Sequence, residues 1–486
     1  MSPSLAPSAS SRAGGVRVAA VVGFLVLVEL VSGMVQSMVP VLLPDIGKDL
    51  HVSTANLNWV SSLQLLSSAI SVPLFGRLGD LYGHRRMLRV AALVITVGTI
   101  LIAWSPGYPV LLLGRIFQGP FAALLPLEIG LVRDRLEGDS AKRGIALLVG
   151  ALAFGATIGM IAPGLLSQVI DSVHGILWVP AGATLLCAVV VFTLVPESTT
   201  RARTTVDWPG AGLLSLGLAA LLLAIAQGPR WGWGAPGVIG LFALSAAVLL
   251  AWSLVELRVE NPIVDLRLSA GRNLLPVYIA SFLLGAAMYG SQTAGTLFLA
   301  MPGDKLGYGF GYGTLAIGWM SLPSGLFTFL ATTVVSRIGR ALGLRGTLAL
   351  GGGVLATGYV FLAFTHDQSW QVVVANSLMG FGTGLTLGTL PALVLDAAPA
   401  ERTGIATGIY NTTKTLGGSV SGAVFGAIFA AITFAGTDIP TEQAFVVVWL
   451  CCAAVSLLTL IAAGVLRGGK AGGRAVTEAP ATALAG

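Results

Sequence analysis

Charged residues are scarce in this chain, and long apolar runs take their place. Asp, Glu, Lys and Arg make up 10% of the 486 residues and apolar residues 55%, whereas an ordinary soluble domain is about 25% charged. The mean hydropathy is +0.87. The apolar residues fall in blocks of about twenty, the length of a helix that crosses the hydrocarbon layer of a bilayer. We therefore expect an integral membrane protein.

Cysteine, histidine and nucleotide-binding motifs are equally sparse. The three cysteines all lie inside apolar blocks, where they behave as small hydrophobic residues and indicate neither a disulfide framework nor a metal site. The four histidines fall in loops, without the spacing of metal ligands. The chain has no G-x-x-x-x-G-K-S/T loop, which excludes an ATP-driven pump of that type. We predict that the protein is not an enzyme and needs no cofactor or metal.

The positive charges are distributed unevenly between fourteen apolar blocks. With the amino terminus inside, 22 of the 27 Lys and Arg residues fall on the cytoplasmic side, as the positive-inside rule expects. That bias predicts fourteen spans with both termini in the cytoplasm, and it explains the net charge of +6 without a nucleic-acid partner. The predicted units are a tail at 1–18, a six-helix bundle at 19–195, a linker with two extra helices at 196–273, a second bundle at 274–466 and a tail at 467–486.

Two pieces of sequence recur at an offset of 260 residues. Residues 77–85 align with 337–345, and residues 144–146 align with 404–406. Spans 1 to 6 therefore correspond to spans 9 to 14, and each repeat has an even number of spans, so the two copies run parallel. Parallel repeats are typical of transporters that rock two bundles about a midplane site. The predicted fold is all-α, with two six-helix bundles and two extra central helices.

The loop after the second span reads GRLGDLYGHRR, which combines glycines for a tight turn with an acid and a basic cluster. Here the chain resembles the major facilitator superfamily, whose signature loop between spans 2 and 3 reads almost the same way. The resemblance implies a cytoplasmic gate; the alternative is a positively charged turn without a gating role. We assign to this gate Gly76, Asp80, Gly83, Arg85, Arg86, Glu128, Arg337 and Arg340.

Ionisable residues inside spans are costly and normally serve a function. Arg115 and Gln118 occupy one helix face in the fourth span, and the surrounding run resembles a superfamily motif implicated in proton coupling. Glu29 is the one ionisable residue of the first span, so we predict that it carries the proton. The alternatives are a structural ion pair for Arg115, and for Glu29 a structural partnership with Arg115 or Lys414.

The fifth span carries small residues at four-residue spacing, which let another helix approach closely. Drug and proton antiporters of the superfamily place a Gly-Pro-x-x-Gly-Gly motif here. This chain instead has Gly155, Gly159, Pro163 and Gly164, with the proline displaced and one glycine lost. The residues therefore predict an antiport motif or a simple packing seam, and they leave antiport, symport and facilitated transport open.

The thirteenth span contains YNTTKTLGG, which resembles a segment of the fourteen-span drug exporters, and residues 206–210 and 260–266 resemble that subfamily too. We assign Gln36, Asn411 and Lys414 to the substrate cavity. The resemblance implies a monomeric, proton-coupled exporter of hydrophobic or amphipathic compounds. The arginine-rich composition favours a bacterial plasma membrane as its location. The alternatives are a carrier of one metabolite and a membrane sensor or scaffold without transport.

Overall fold

The structure is a computed structural model that describes residues 9–136, 138–195, 207–259, 262, 266–269, 271, 273–398 and 403–465. Sixteen helices account for most of these residues, and among them the structure has an isolated β-bridge between Thr433 and Pro440 but no strand. The predicted carboxyl-terminal tail, most of the predicted linker loop after residue 195, and the side chain of Asp80 lie outside the described part of the chain.

The first half of the chain forms seven helices. They are α1 (Ala9–Asp49), α2 (Thr54–Tyr82), α3 (His84–Trp104), α4 (Tyr108–Phe117), α5 (Phe121–Arg135), α6 (Gly138–Leu166) and α7 (Val173–Thr193). Two helices follow, α8 (Trp208–Trp231) and α9 (Pro236–Glu256).

The second half of the chain forms the remaining helices. They are α10 (Leu266–Ser269), α11 (Leu275–Ala300), α12 (Gly303–Leu306), α13 (Thr314–Phe364), α14 (Ser369–Ala397), α15 (Thr403–Ala431) and α16 (Glu442–Val465). Within the described residues, 13 helical segments are long and apolar enough to span a membrane, two of them in α13 and one formed by α4 with α5. Helix α11 is long enough as well but more polar. The predicted all-α fold of two six-helix bundles with two added helices is confirmed.

Two spans differ in detail from the prediction. The predicted fourth span is two helices, because Pro120 has no N–H to continue the helical ladder and the chain turns at Gln118 and Gly119. The predicted tenth and eleventh spans are joined in α13, which is interrupted only at Gly343, with φ 71° and ψ 164°. Gly83, 260 residues earlier, has φ 100° and ψ 133° between α2 and α3. Only glycine adopts such angles at low cost, so both repeats turn at the same position.

The helix pairings repeat as well. Helix α1 packs against α6 as α11 packs against α15, and the most extensive contacts between the halves are those of α2 with α15 and of α6 with α13. In the repeat, α2 corresponds to the first part of α13 and α6 corresponds to α15. These two interfaces are therefore related by the same symmetry as the two halves. Helices α8 and α9 pack on each other, and α8 lies beside α2 and α15.

Candidate functional site

A cavity of about 990 Å³ lies between the two bundles. Helices α1, α5 and α6 line it from the first half, and α11, α13, α14, α15 and α16 from the second. Its volume is at the upper end of the range of small-molecule sites, roughly 300–1,000 Å³. The two halves therefore enclose enough space for a drug-sized molecule.

One end of the cavity, which we call the closed end, is sealed by contacts between the bundles. The hydroxyl of Thr314 at the start of α13 donates to the carboxylate of Asp45 near the end of α1. A Cβ on Gly164 would lie 2.4 Å from the Cα of Leu315, so α6 and α13 are in backbone contact there. Helices α2 and α15 meet through the Ser419 hydroxyl, which donates to the carbonyl of residue 62 over 2.9 Å.

At the other end, which carries Gly83 and Gly343 and which we call the open end, the bundles separate. Val149 of α6 and Thr332 and Thr333 of α13 line the cavity and yet are exposed. A Cβ on Gly76 in α2 would meet nothing within 4 Å. Among the described residues, the cavity is therefore open at this end and closed at the other.

The two walls of the cavity differ in chemistry. The wall from the first half is mostly apolar, with Phe121, Leu125 and Met160 among its residues. The wall from the second half is rich in hydroxyl and amide groups, contributed by Tyr289, Ser291, Gln292, Ser321, Ser324, Thr328, Asn376 and Thr383. Such a cavity suits a molecule with one apolar and one polar face.

The three residues predicted for the cavity, Gln36, Asn411 and Lys414, all line it. The amide of Gln36 donates to the carbonyl and hydroxyl of Ser32, at 3.2 and 3.0 Å. The Lys414 ammonium donates to Asn411 Oδ1 over 3.2 Å and lies 5.2 Å from the ring centroid of Tyr410. Contact of these residues with substrate stays a prediction.

A pair of buried carboxyl groups lies at the cavity wall. Glu29 of α1 lines the cavity and is 1% exposed, and Glu128 of α5 is 0% exposed and lies next to it. Oε1 of Glu29 and both carboxylate oxygens of Glu128 are buried, and no donor for them is found among the described residues. Because a carboxylate only accepts, their mutual contact becomes a hydrogen bond only when one of them carries a proton.

The sequence did not indicate this pairing. We predicted Glu128 for the gate; its described neighbour is Glu29, and its part in the gate stays a prediction. The chain breaks between α4 and α5, after Phe117 and before Phe121. The direction in which Glu128 points therefore cannot be predicted by continuing a single helix from Arg115.

Arg115 is also buried, but it faces away from the cavity. Its Nε donates to the carbonyl of Val60 over 2.8 Å and its Nη1 to Gln118 Oε1 over 2.7 Å, and Gln118 Nε2 donates to Thr99 Oγ1 over 3.1 Å. These bonds join α2, α4 and α3. No carboxylate of the described residues lies within 4.0 Å of the Arg115 guanidinium. The role of Arg115 and Gln118 in proton coupling stays a prediction.

The small residues of α6 serve two interfaces. A Cβ on Gly155 would lie 1.9 Å from the carbonyl oxygen of Leu30, and one on Gly159 would lie 2.2 Å from that of Met34. These two glycines therefore hold α6 against α1. Pro163 is buried inside α6, and the neighbouring Gly164 contacts α13 of the other bundle. An antiport role for this segment stays a prediction.

The residues predicted for the gate lie at the open end. Gly83 supplies the turn between α2 and α3, and Gly76 faces open space. The side chains of Arg86, Arg337 and Arg340 are exposed, and Arg85 is half-buried. The described residues place this cluster where the bundles are apart, and its gating role stays a prediction.

Sequence reasoning missed the polar contacts at the closed end. Besides Asp45 with Thr314, His174 Nε2 lies 3.0 Å from Asp49 Oδ2, and His366 Nε2 lies 2.7 Å from Glu442 Oε1. Each histidine and its acid are far apart in the chain, so spacing offered no signal. The one available signal was that all these residues fall at predicted span ends on one side of the membrane.

Several known proteins are similar to this chain in sequence or in fold. The model of the Major Facilitator Superfamily matches residues 25–422. The chain is 27% identical over 415 residues to the "Probable actinorhodin transporter" of Streptomyces coelicolor, covering 81% of this chain and 69% of that protein. It is 28% identical over 390 residues to the "Multidrug resistance protein Stp" of Mycobacterium tuberculosis, covering 79% and 70%. A solved POT family transporter with a bound thioalcohol-conjugated peptide is similar in fold, with a TM-score of 0.66, 14% identity and coverage of 90% and 94%.

Proposed function

We propose that this chain, which belongs to the Major Facilitator Superfamily, exports amphipathic compounds from a bacterial cell in exchange for protons. The family makes it a secondary transporter of small molecules and not an enzyme. Export as the direction is supported by the relatives, one of which is named a multidrug resistance protein and another a probable actinorhodin transporter. The cavity of about 990 Å³, with one apolar and one polar wall, supports an amphipathic substrate.

The orientation of the chain follows from its charges. Arg85, Arg86, Arg337 and Arg340 lie at the open end, and positive residues collect on the cytoplasmic side of bacterial membranes. We therefore assign the open end and both termini to the cytoplasm of a plasma membrane. The structure then corresponds to the state that loads substrate from the cytoplasm. Because one chain contains both bundles, a monomer suffices.

Alternating access requires the two bundles to rock about the cavity. The symmetric interfaces of α2 with α15 and of α6 with α13 are where this motion takes place. To release substrate outside, the Asp45 and Thr314 contact must break, and the bundles must approach each other at the open end. The predicted gate around Gly76 and Gly83 would then form contacts that this state lacks.

The observation that carries the proton-coupled mechanism is the Glu29 and Glu128 pair. Two buried carboxylates in contact, without a cation among the described neighbours, repel each other strongly unless they share a proton. Hydration of the cavity from one side at a time lets that proton exchange with one side at a time. The position of Glu29 on the cavity wall makes substrate and proton occupancy mutually dependent.

The test uses purified protein in liposomes with an acidic lumen and rhodamine 6G as the substrate. Wild-type protein inserted with its cytoplasmic side outward should drive dye into the lumen, and pyranine trapped inside should report a rise in lumenal pH. Glu29→Gln and Glu128→Gln should lose gradient-driven accumulation and the pH change, because a glutamine cannot release a proton. Both variants should keep exchange of labelled for unlabelled dye at equal pH, since exchange needs the cavity but no net proton movement.

The matched control is Asp304→Asn, which removes a carboxylate from the exposed loop helix α12 and should behave as wild type. If collapse of the pH gradient with nigericin leaves wild-type accumulation unchanged, the transport is not proton-coupled. If both glutamine variants retain coupled accumulation, the carboxyl pair is not the proton carrier.

A further inference from the structure

The cavity contains a cationic side chain that no acid of the described residues neutralises. Two residues lining the cavity carry formal charge, Glu29 and Lys414. Glu29 belongs to the first half of the chain and contacts Glu128, whereas Lys414 belongs to α15 in the second half. No carboxylate of the described residues lies within 4.0 Å of the Lys414 ammonium, whose described partners are Asn411 and the Tyr410 ring.

The backbone at Lys414 is fixed by the closest helix contact on that side of the cavity. A Cβ on Gly285 of α11 would lie 1.8 Å from the Lys414 carbonyl oxygen, and one on Gly417 would lie 2.0 Å from that of Phe282. Lys414 is eleven residues from the first residue of α15, about 16 Å at the helical rise of 1.5 Å per residue. Its side chain is too short to place the ammonium in the headgroup layer.

An ammonium has three donors and requires compensation in an apolar setting. Asn411 accepts one of these donors, which leaves two directed at no described protein atom. A buried or half-buried cation of this kind is stabilised most by an anionic oxygen, because charge-assisted hydrogen bonds are about twice as strong as neutral ones.

We propose that Lys414, with Asn411, gives the cavity a higher affinity for amphiphiles that carry an acidic oxygen, a carboxylate or a phenolate on an apolar ring system, than for the cationic amphiphiles that it also admits. The ring lies against the apolar wall of α5 and α6, at Phe121, Leu125 and Met160, and the acidic oxygen accepts from the Lys414 ammonium. This inference rests on the proposed function, because it names the chemical class that the same cavity takes. It assigns the charge selectivity to one side chain.

The experiment compares two dyes that share a xanthene ring system and differ in charge. Fluorescein carries a carboxylate and a phenolate near neutral pH, and rhodamine 6G is a cation. Fluorescence anisotropy measures the binding of each dye to detergent-purified protein. Wild type should bind fluorescein, and Lys414→Gln should bind it about tenfold to a hundredfold more weakly, the equivalent of one charged hydrogen bond. Lys414→Arg should retain most of the affinity.

Rhodamine 6G serves as the internal control for folding and cavity shape. Its affinity should be unchanged or higher in Lys414→Gln, since a repelling charge has been removed. The matched lysine control is Lys305→Gln, in an exposed loop helix, and it should leave both dyes unaffected. Fluorescein affinity equal in Lys414→Gln and wild type, an equal loss for both dyes, or no fluorescein binding to wild type would each overturn the proposal.

Transport in the liposome assay separates this inference from the proposed function. If rhodamine 6G accumulates along the gradient but Lys414→Gln changes the affinity for neither dye, the proposed export function is supported and the proposed selectivity is wrong. Selective binding of fluorescein without gradient-driven movement of either dye would support the selectivity and contradict the proton-coupled export.

Discussion

Gly155 offers the sharpest test of how the packing of α6 supports the site. A Cβ at this position would lie 1.9 Å from the carbonyl oxygen of Leu30, whereas ordinary contact begins at 3.4 Å. The neighbour is backbone and cannot rotate away, so Gly155→Ala forces α1 and α6 apart locally by about 1.5 Å, the difference between those distances. Leu30 follows Glu29, and the shift therefore also moves Glu29 relative to Glu128.

The expected loss of stability is obtained by comparison with a control variant in the same helix. Gly150 of α6 has nothing within 4 Å of its Cβ, so Gly150→Ala gains helix propensity, about 1 kcal/mol, without a clash. The propensity gain is common to both variants and cancels between them. The difference in their stability is therefore the overpacking cost, about 1–3 kcal/mol.

The assay is thermal unfolding of the purified protein in detergent, read by size-exclusion of the protein that stays folded, together with dye transport in liposomes. Gly155→Ala should unfold at a lower temperature than Gly150→Ala and should lose proton-coupled accumulation. Equal unfolding temperatures and equal transport in the two variants would refute the close packing of α1 on α6 as the structure has it.

Two further predictions concern polar contacts. Thr314→Val removes the donor to Asp45 and should shift the population towards the state open at the other end. Cysteine-accessibility labelling of Val41→Cys, at a buried position one turn before Asp45, should then be faster in the Thr314→Val background than in the single variant; equal rates would contradict a role of this contact in closure. Arg115→Leu removes the bonds to the Val60 carbonyl and to Gln118 Oε1. It leaves the buried Gln118 oxygen without its donor, at about 1–3 kcal/mol, and should lower the unfolding temperature as well as transport. Unchanged stability of Arg115→Leu would contradict a structural connection between α2 and α4.

Much of the architecture could be predicted because lipid leaves few choices. A helix is the form in which a segment of about twenty residues satisfies its backbone in hydrocarbon, so the apolar blocks predicted the helices directly. The offset of 260 residues predicted the repeat, and the structure shows it at Gly83 and Gly343, which adopt the same class of backbone angles. The broken fourth span was not predicted, since its apolar pattern continues through Pro120.

The candidate site was predictable only in part. The sequence indicated Glu29, Asn411 and Lys414 because polar side chains inside spans stand out against apolar neighbours, and all three line the cavity. It did not indicate that Glu128 would be the partner of Glu29. It also gave no sign that Arg115 would turn away from the cavity towards the carbonyl of residue 60, because an arginine inside a span has the same sequence signature in either orientation.

The amino-acid sequence alone determined that this is an integral membrane protein, that it consists of helices, and that its two halves are structural repeats. Those properties depend on the transfer of segments from water to lipid, which is additive along the chain. The tertiary structure decided which polar groups meet, which end of the cavity is open, and that one wall is apolar while the other carries Lys414. Those properties depend on how helices that are far apart in the chain pack against one another, which no local pattern specifies.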